Sequence, residues 1–473
     1  MEKILIGLPA FIFILGAAVV IHEFGHFIVA KLLGIRVETF SVGFGKRLWG
    51  RKWGTTDYRL SLIPLGGYVK LGGDESNAAI EEGGAEPEIP ANERFDLRPR
   101  WQKFLVGVAG PVMNVLTAIA IPFVAAMTIG VPATPSPVVA QVDEGGAAQV
   151  AGLRPGDRIV AFKGEENPTW RRISGLGMLS PDIEVPVVVE RGSERVQLNL
   201  KPTKQTQNGN TVGDVGFDPD LGIFPVKIFR VREGSPAEKA GLESGDRIVS
   251  INDQPARNVR HVVQTVAETK GPIRFKVERG GRNVDLVTTD ERMEERKLGF
   301  ELDKPPVERV DAVSALSYSV DLNLEILRLT AHALGQVFTG QRSVRETFSG
   351  PVEIAVASSD AAYNFGWEGV FEMLAFLSLN LGVFNLLPIP VLDGGMIFML
   401  LVEGALALVG LKLSLRMRER IQQVGFVFLL LLMGFVIIND ITKLATRVRG
   451  TGQTPPAATQ QQQQPQQQPE PQK

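Results

Sequence analysis

Four stretches of this chain are too apolar and too long to sit in water: Ile4–Ile21 with its continuation Phe27–Gly34, Phe104–Val131, Val370–Leu392 and Val424–Ile438. A helix needs about 20 apolar residues to cross a hydrocarbon core of about 30 Å. The second run qualifies outright, the first and third with polar interruptions, and the fourth once Ile421 and Ile441 are included. Lipid offers no partner to backbone polar groups, so such runs have to be helices. The expectation is a polytopic α-helical membrane protein with four transmembrane helices. Glu2-Lys3 is a feeble n-region and no small-residue cleavage site follows, so the first run reads as a retained span.

A formal net charge of −2 over 473 residues provides no field for nucleic acid, and none is expected as a partner. The chain has no cysteine, which excludes disulfides, thiolate metal sites and cysteine nucleophiles. Lysine and arginine crowd the connection between the first two spans (Arg36, Lys46, Arg47, Arg51, Lys52, Arg59, Lys70) and the turn between the last two (Lys412, Arg416, Arg418, Arg420). By the positive-inside rule both face the cytoplasm, and 132–366 lies outside. Lys443, Arg447 and Arg449 vote the other way and are outnumbered.

That external section holds a repeat. Residues 146–166 and 234–254 share the core A-G-L-x-x-G-D-R-I-V, each followed by strand-like runs and then by a short triplet, Val215-Gly216-Phe217 or Leu298-Gly299-Phe300. The pattern resembles two tandem PDZ domains of the circularly permuted bacterial kind, an α+β fold. The resemblance implies that the triplets are peptide-carboxylate loops beside a sheet edge open to strand addition; ordinary strand ends are the bland alternative. Between the first two spans, 37–50 and 57–73 read as glycine-punctuated short strands. Residues 74–100 read as a surface loop, and 308–348 as amphipathic helix.

The first span interrupts itself with His22, Glu23 and His26. Two histidines four apart share one helical face, a spacing that lets both imidazoles hold one zinc with the intervening glutamate as general base. An ionisable group inside a span costs at least about 2.5 kcal/mol on insertion scales, so three polar groups in one turn need a purpose. Gly25 within the motif is unfavourable for a helix by about 1 kcal/mol and points to close approach of another segment. Two imidazoles leave a zinc site short of a ligand. The other histidines, His261 and His332, fall in the external section and have bland readings, as surface or groove lining and as an interfacial residue. In the third apolar run, Pro388 and Pro390 break the helix just before Asp393, and broken backbone at membrane depth lines a buried or wet cavity. Asp393 is the natural third ligand.

With H-E-F-G-H in the first span, N-L-L-P-I-P-V-L-D-G-G in the third and PDZ-like repeats between, the chain resembles the site-2 protease family, most closely its bacterial sigma-E regulator type. The resemblance covers nearly everything outside 74–100 and the glutamine-rich tail. It implies intramembrane proteolysis, with one Zn2+ per chain on His22, His26 and Asp393 and Glu23 as catalytic base. It also implies substrate contacts from Asn380 and Asn385, and a membrane-associated β-hairpin region. Residues 58–71 of that region, Tyr58, Leu60 and Leu62 among them, are the expected segment for holding an unwound substrate strand. The implied partners are a lipid bilayer, a single-pass membrane substrate such as an anti-sigma factor, and an upstream site-1-type protease that trims it; signal-peptide remnants are further substrates. The implied location is a bacterial inner membrane, PDZ domains periplasmic and active site near the cytoplasmic side. The 109–121 and 349–355 segments are expected to pack closely through glycine, with Asn114 as a polar contact.

The expected division is 1–34 (first span), 35–100 (hairpin region and loop), 101–131 (second span), 132–220 and 221–303 (PDZ units), 304–366 (amphipathic helices and linker), 367–410 (third span), 411–445 (fourth span) and 446–473 (disordered Gln/Pro-rich tail). The alternative of another class is a membrane-anchored PDZ adaptor without protease activity, which needs neither Glu23 nor Asp393.

Overall fold

The computed structural model describes residues 2–73, 89–207, 210–220, 222, 225–269, 271–289, 298–303, 307–347, 350–411 and 414–450. Most of the 74–100 loop and the tail beyond Gly450 therefore lie outside the described residues. Helix α1 (Glu2–Leu32) is followed by two long strands, β1 (Val37–Trp53) and β2 (Thr56–Leu71), and by α2 (Arg100–Thr128). Segments Ile6–Leu32, Arg100–Thr128, Pro351–Asn385 and Arg420–Lys443 are long and apolar enough to cross a membrane.

The β1–β2 pair is more than a hairpin. Val37–Val42 pair with Leu71–Gly67 on one side and Thr39–Val42 with Asp57–Leu60 on the other, while Arg47–Trp53 pair back onto Ser61–Thr56. Each strand doubles over, and the glycines at positive φ, Gly43 and Gly45, sit where β1 does so. The pairing leaves only part of 58–71 with a free backbone edge. Tyr58 pairs with both Phe40 and Arg51, and Leu60 with both Val42 and Trp49. Their backbone is interior to the sheet and cannot take a further strand. Leu62 falls where the partner changes, between Ser61 (to Arg47) and Ile63 (to Phe44). The segment lying against α1 is Gly67–Leu71, which is buried.

Two similar units follow β3 (Val131–Pro132). The first comprises β4 (Ser136–Val142), α3 (Ala147–Val150), β5 (Arg158–Phe162), β6 (Glu165–Glu166), α4 (Trp170–Met178), β7 (Val185–Arg191), β8 (Glu194–Leu200), β9 (Thr203–Gln207), β10 (Asn210–Asp214) and β11 (Phe217–Asp220). Its sheet order is β11-β4-β5-β7-β8. The second runs β12 (Val226–Val231), α5 (Pro236–Lys239), β13 (Arg247–Ile251), β14 (Gln254–Pro255), α6 (Val259–Glu268), β15 (Arg274–Arg279), β16 (Arg282–Val287) and β17 (Phe300–Leu302), in the order β16-β15-β13-β12-β17. In both, the last strand closes on the first, and each has its own apolar core. The pairing of β18 (Val307–Glu308) with β3 brings the entry and exit of the section together.

The sequence repeat has a physical explanation here. Asp157 accepts the Arg154 N–H (2.9 Å) and takes two bonds, both 2.8 Å, from Arg191. Asp246 does the same with the Glu243 N–H (2.9 Å) and with Arg279 (2.7 and 2.8 Å). Burial pushes both carboxyls up, but the guanidinium and backbone donors outweigh it and hold each below the usual carboxylate value. A folded-state pKa below the unfolded one means that the stabilisation is present above the unfolded value, near 3.9, and is lost as pH falls through the folded one. Asp157→Asn or Asp246→Asn should cost the affected unit about 2 kcal/mol and remove that acid-dependent step. Hydrogen exchange of the full chain should show faster exchange in that unit alone, and unchanged protection would refute the account.

Helix α7 (Ala312–Phe338) joins the first unit to α2. Pro122 has no N–H, so the Ala118 carbonyl one turn back loses its helical partner. Asn323 Nδ2 donates to that carbonyl (3.0 Å) and Ser319 Oγ to the Ile119 carbonyl (2.5 Å). At its other end, Gln336 Nε2 donates to the Leu179 carbonyl (2.8 Å), and Glu325 faces Arg172, which also pairs with Glu165. His332 sits between α7 and the first unit: burial, Lys163 and Arg172 push its pKa down, and its neutral Nε2 accepts from Lys163 Nζ (3.0 Å).

After α8 (Val344–Thr347) two further helices carry the third apolar run and the residues beyond it. Helix α9 (Pro351–Asn385) bends at Gly366 (φ 59°) and stops at Asn385; α10 (Asp393–Leu408) starts separately beyond Pro388 and Pro390. The break falls at those prolines, each of which removes a helical donor and clashes with the preceding turn. Helix α11 (Leu415–Gly450) continues through 446–450, past the expected start of the tail. Its buried Asp440 caps α9 by accepting the N–H groups of Gly350 (2.9 Å), Val352 (3.0 Å) and Glu353 (3.2 Å), a carboxylate at a helix N-terminus.

Candidate metal centre

Helices α1, α2 and α9 cross where side chains are smallest. A Cβ on Gly25 would run into the Ala109 carbonyl and come within 2.9 Å of Gly110 Cα, which is the close approach that glycine implied. A Cβ on Gly110 would in turn meet both His26 and His22. The bare backbone of α2 therefore lies directly against the two imidazoles.

Three donor atoms converge at this crossing. His22 Nε2 is 3.2 Å from His26 Nε2, and Asp393 Oδ2 is 2.9 Å from the former and 3.5 Å from the latter. Ligand bonds of about 2.0–2.1 Å at tetrahedral angles separate donor atoms by about 3.3 Å, so the triad fits zinc. Asp393 reaches the triad as the first residue of α10, two residues after Val391, whose φ of 82° is a left-handed conformation rare for a β-branched residue. A Cβ on Gly394 would strike the Leu386 and Leu387 carbonyls, so the broken segment folds tightly onto the start of α10.

The surroundings fix which nitrogens are available. His26 Nδ1 donates to the Val106 carbonyl at 2.7 Å, which leaves Nε2 as the lone pair facing the triad. His22 Nδ1 lies 3.2 Å from Asn114 Nδ2, while Asn114 Oδ1, fully buried, has no partner among the described residues. Half a turn of that amide exchanges its two ends. Oδ1 then accepts from His22 Nδ1–H, and His22 Nε2 is likewise left as a lone pair. The donor set and its tautomers fit a bound cation.

Glu23 stands beside the triad and outside it, its Oε2 held by the Val69 N–H of β2 at 3.1 Å. Asn385 Nδ2 is 3.2 Å from His22 Nε2. Asn380 is not brought to this point; its Nδ2 donates to the Phe376 carbonyl one turn back in α9. Of the two triplets, Gly216 (φ 68°) and Gly299 (φ 85°) open β11 and β17 respectively. The Gly216 carbonyl is taken by Asp143 N–H (3.0 Å), the Gly299 carbonyl by Arg232 N–H (2.8 Å) and the Leu298 carbonyl by Ala237 N–H (2.9 Å). Val215 packs against α4, and Phe217 and Phe300 pack edge-on against Trp170 and Phe275. Sequence reasoning missed the roles of Val69 and Val106, which are backbone groups and leave no trace in residue type.

Two histidines a turn apart, a carboxylate from a second element and a free-standing glutamate form the donor set of a metallopeptidase, set among helices of membrane-spanning length. The chain belongs to peptidase family M50, whose sequence profile matches residues 10–432. It is 33% identical over 477 residues to the regulator of sigma-E protease RseP of Salmonella typhimurium and 32% identical over 477 residues to that of Escherichia coli K12. Each alignment covers 94% of this chain and 100% of the relative. A Vibrio cholerae relative provisionally named a zinc metalloprotease is 32% identical over 468 residues, with the same coverage.

Proposed function

We propose that this chain is a zinc-dependent intramembrane endopeptidase that cleaves single-pass membrane proteins. The observation that carries the reading is the convergence of His22, His26 and Asp393, with Glu23 beside them, inside apolar helices. One Zn2+ would be held by His22, His26 and Asp393; when bound it supplies a Lewis acid that polarises a carbonyl and acidifies water. Glu23 accepts the proton of the attacking water and returns it to the departing amine. Asn385 offers an amide donor beside the triad for the oxyanion that develops on the scissile carbonyl. Val106 and Asn114 hold the imidazoles in the tautomer that keeps both Nε2 atoms aimed at one point.

A helical substrate keeps its peptide carbonyls bonded internally, so it has to unwind before hydrolysis. The sheet segment beside Glu23 is Gly67–Leu71, which makes it the best-placed element to receive extended chain; Tyr58, Leu60 and Leu62 support the sheet behind it. Asn380, on the helix that ends at Asn385, would contact substrate farther from the triad. The two external units read as circularly permuted PDZ domains, 132–220 and 221–303, with Val215-Gly216-Phe217 and Leu298-Gly299-Phe300 as carboxylate loops. They would admit substrate that a site-1-type protease has already shortened. The relatives' names point to a sigma-E pathway, hence to an anti-sigma factor as substrate. Lysine and arginine bias orients the chain in a bacterial inner membrane with these units periplasmic and the centre near the cytoplasmic face.

The test is cleavage of a single-pass reporter, trimmed or intact, by the full chain in proteoliposomes. The trimmed reporter should be cut, a chelator should stop the reaction, and added zinc should restore it. Cleavage indifferent to chelation would overturn the metallopeptidase reading, and equal cleavage of both reporters the filter.

A further inference from the structure

The outer edge of the β1–β2 sheet combines features that a water-exposed edge does not need together. Residues 46–53 carry Lys46, Arg47, Arg51 and Lys52 and no acidic residue, interleaved with Leu48, Trp49 and Trp53. Leu48 is 58% exposed, Trp49 71% and Trp53 78%. Arg47 pairs with Asp57 (3.1 Å), whereas Lys46, Arg51 and Lys52 pair with no carboxylate among the described residues. Cations alone would serve to blunt a sheet edge against aggregation. Two exposed tryptophans defeat that purpose and belong where one end of a ring is apolar and the other wet.

The arrangement of faces identifies the neighbour. Trp49, Arg51 and Trp53 are cross-strand partners of Leu60, Tyr58 and Thr56, so all share one face. That face continues without interruption onto α1: Trp53 contacts Tyr58 (6.5 Å between ring centroids), Tyr58 contacts Phe27 (5.9 Å), and Phe27 stacks on the exposed Phe24 (5.9 Å). Lys31, in the last turn of α1, sits over Phe27. The lipid-facing surface of the first span thus extends along the sheet to an edge rimmed by uncompensated cations.

We propose that this edge is a docking surface for the headgroups of anionic phospholipids, with Trp49 and Trp53 at the level of the bilayer interface and Lys46, Arg51 and Lys52 gathering the charged lipids. Polybasic segments at an anionic leaflet act in this way. The site would hold lipid beside the element that steadies Glu23, and it needs no cleavage to be observed, so it stands or falls apart from the proteolytic reading.

The test uses the full chain in nanodiscs with Trp101→Phe and Trp367→Phe, leaving Trp49 and Trp53 beside Trp170 of the first external unit. Quenching is compared between brominated phosphatidylglycerol diluted in plain phosphatidylcholine and the reverse pairing, at equal fractions of brominated lipid. Quenching by the anionic lipid should exceed that by the zwitterionic one, to an extent equal to roughly threefold local enrichment, and high salt should erase the excess. In Lys46→Gln/Arg51→Gln/Lys52→Gln the two arms should become equal, while wholly brominated discs still quench the Trp49 and Trp53 share of the emission because both tryptophans stay seated. Equal arms without the triple substitution would overturn the proposal, as would a preference that survives it, or an absence of quenching in wholly brominated discs. The comparison of lipids decides even if the triple variant fails to reconstitute.

Discussion

Glu23→Gln should lower turnover of a trimmed single-pass substrate by roughly 10³–10⁴-fold, the upper part of the range for losing a general acid–base, and should leave zinc content unchanged. The split follows from position. Glu23 is adjacent in sequence to one ligand, yet it is not among the three converging donors, and its carboxylate is held by the Val69 N–H of β2. Glutamine keeps the length of the side chain and an oxygen that can accept the same N–H. What it removes is the capacity to take a proton. Parallel measurement of metal content and single-turnover cleavage on the purified chain separates the two properties. Loss of zinc together with activity would make Glu23 a structural support of the centre, and undiminished cleavage would require another base.

How much of this was legible in advance depended on the range of the interactions involved. The H-E-x-x-H spacing, the apolar runs and the proline break before Asp393 are local, and each left its mark in residue type. Gly25 was readable for the same reason, since a glycine within a membrane helix has few purposes other than close approach. The double pairing of Tyr58 and Leu60 was not readable, because alternating residues state that a strand exists and not how many neighbours it has. Helix α9 begins before the apolar run of the third span because its first turns are held by the Asp440 cap, a contact between residues some 90 positions apart. The G-D-R repeat was visible as a pattern, but its cause, an arginine on a later hairpin gripping the aspartate, needed the register of β5 with β7 and of β13 with β15.

Asn114 lies between the legible and the hidden, and it supports the second large effect. Asn114→Leu should weaken zinc binding by about 10–100-fold, the usual consequence of losing a hydrogen-bond partner of a ligating histidine. Leucine fills nearly the same volume, so packing against α1 and α9 is kept. What is lost is the only acceptor that a turned amide offers to His22 Nδ1–H, in a place that is fully buried. Without it the ring is favoured in neither tautomer, and the tautomer with its proton on Nε2 has no lone pair for the metal. Asn114→Asp retains an acceptor at the same point and should preserve affinity. Transfer of zinc from the detergent-solubilised chain to a chromogenic chelator measures this directly, with no substrate present. If leucine and aspartate weaken binding equally, the amide acts by shape alone; if leucine leaves affinity intact, His22 is oriented by the α2 backbone at Gly110, and the unpartnered Oδ1 of Asn114 needs a different explanation.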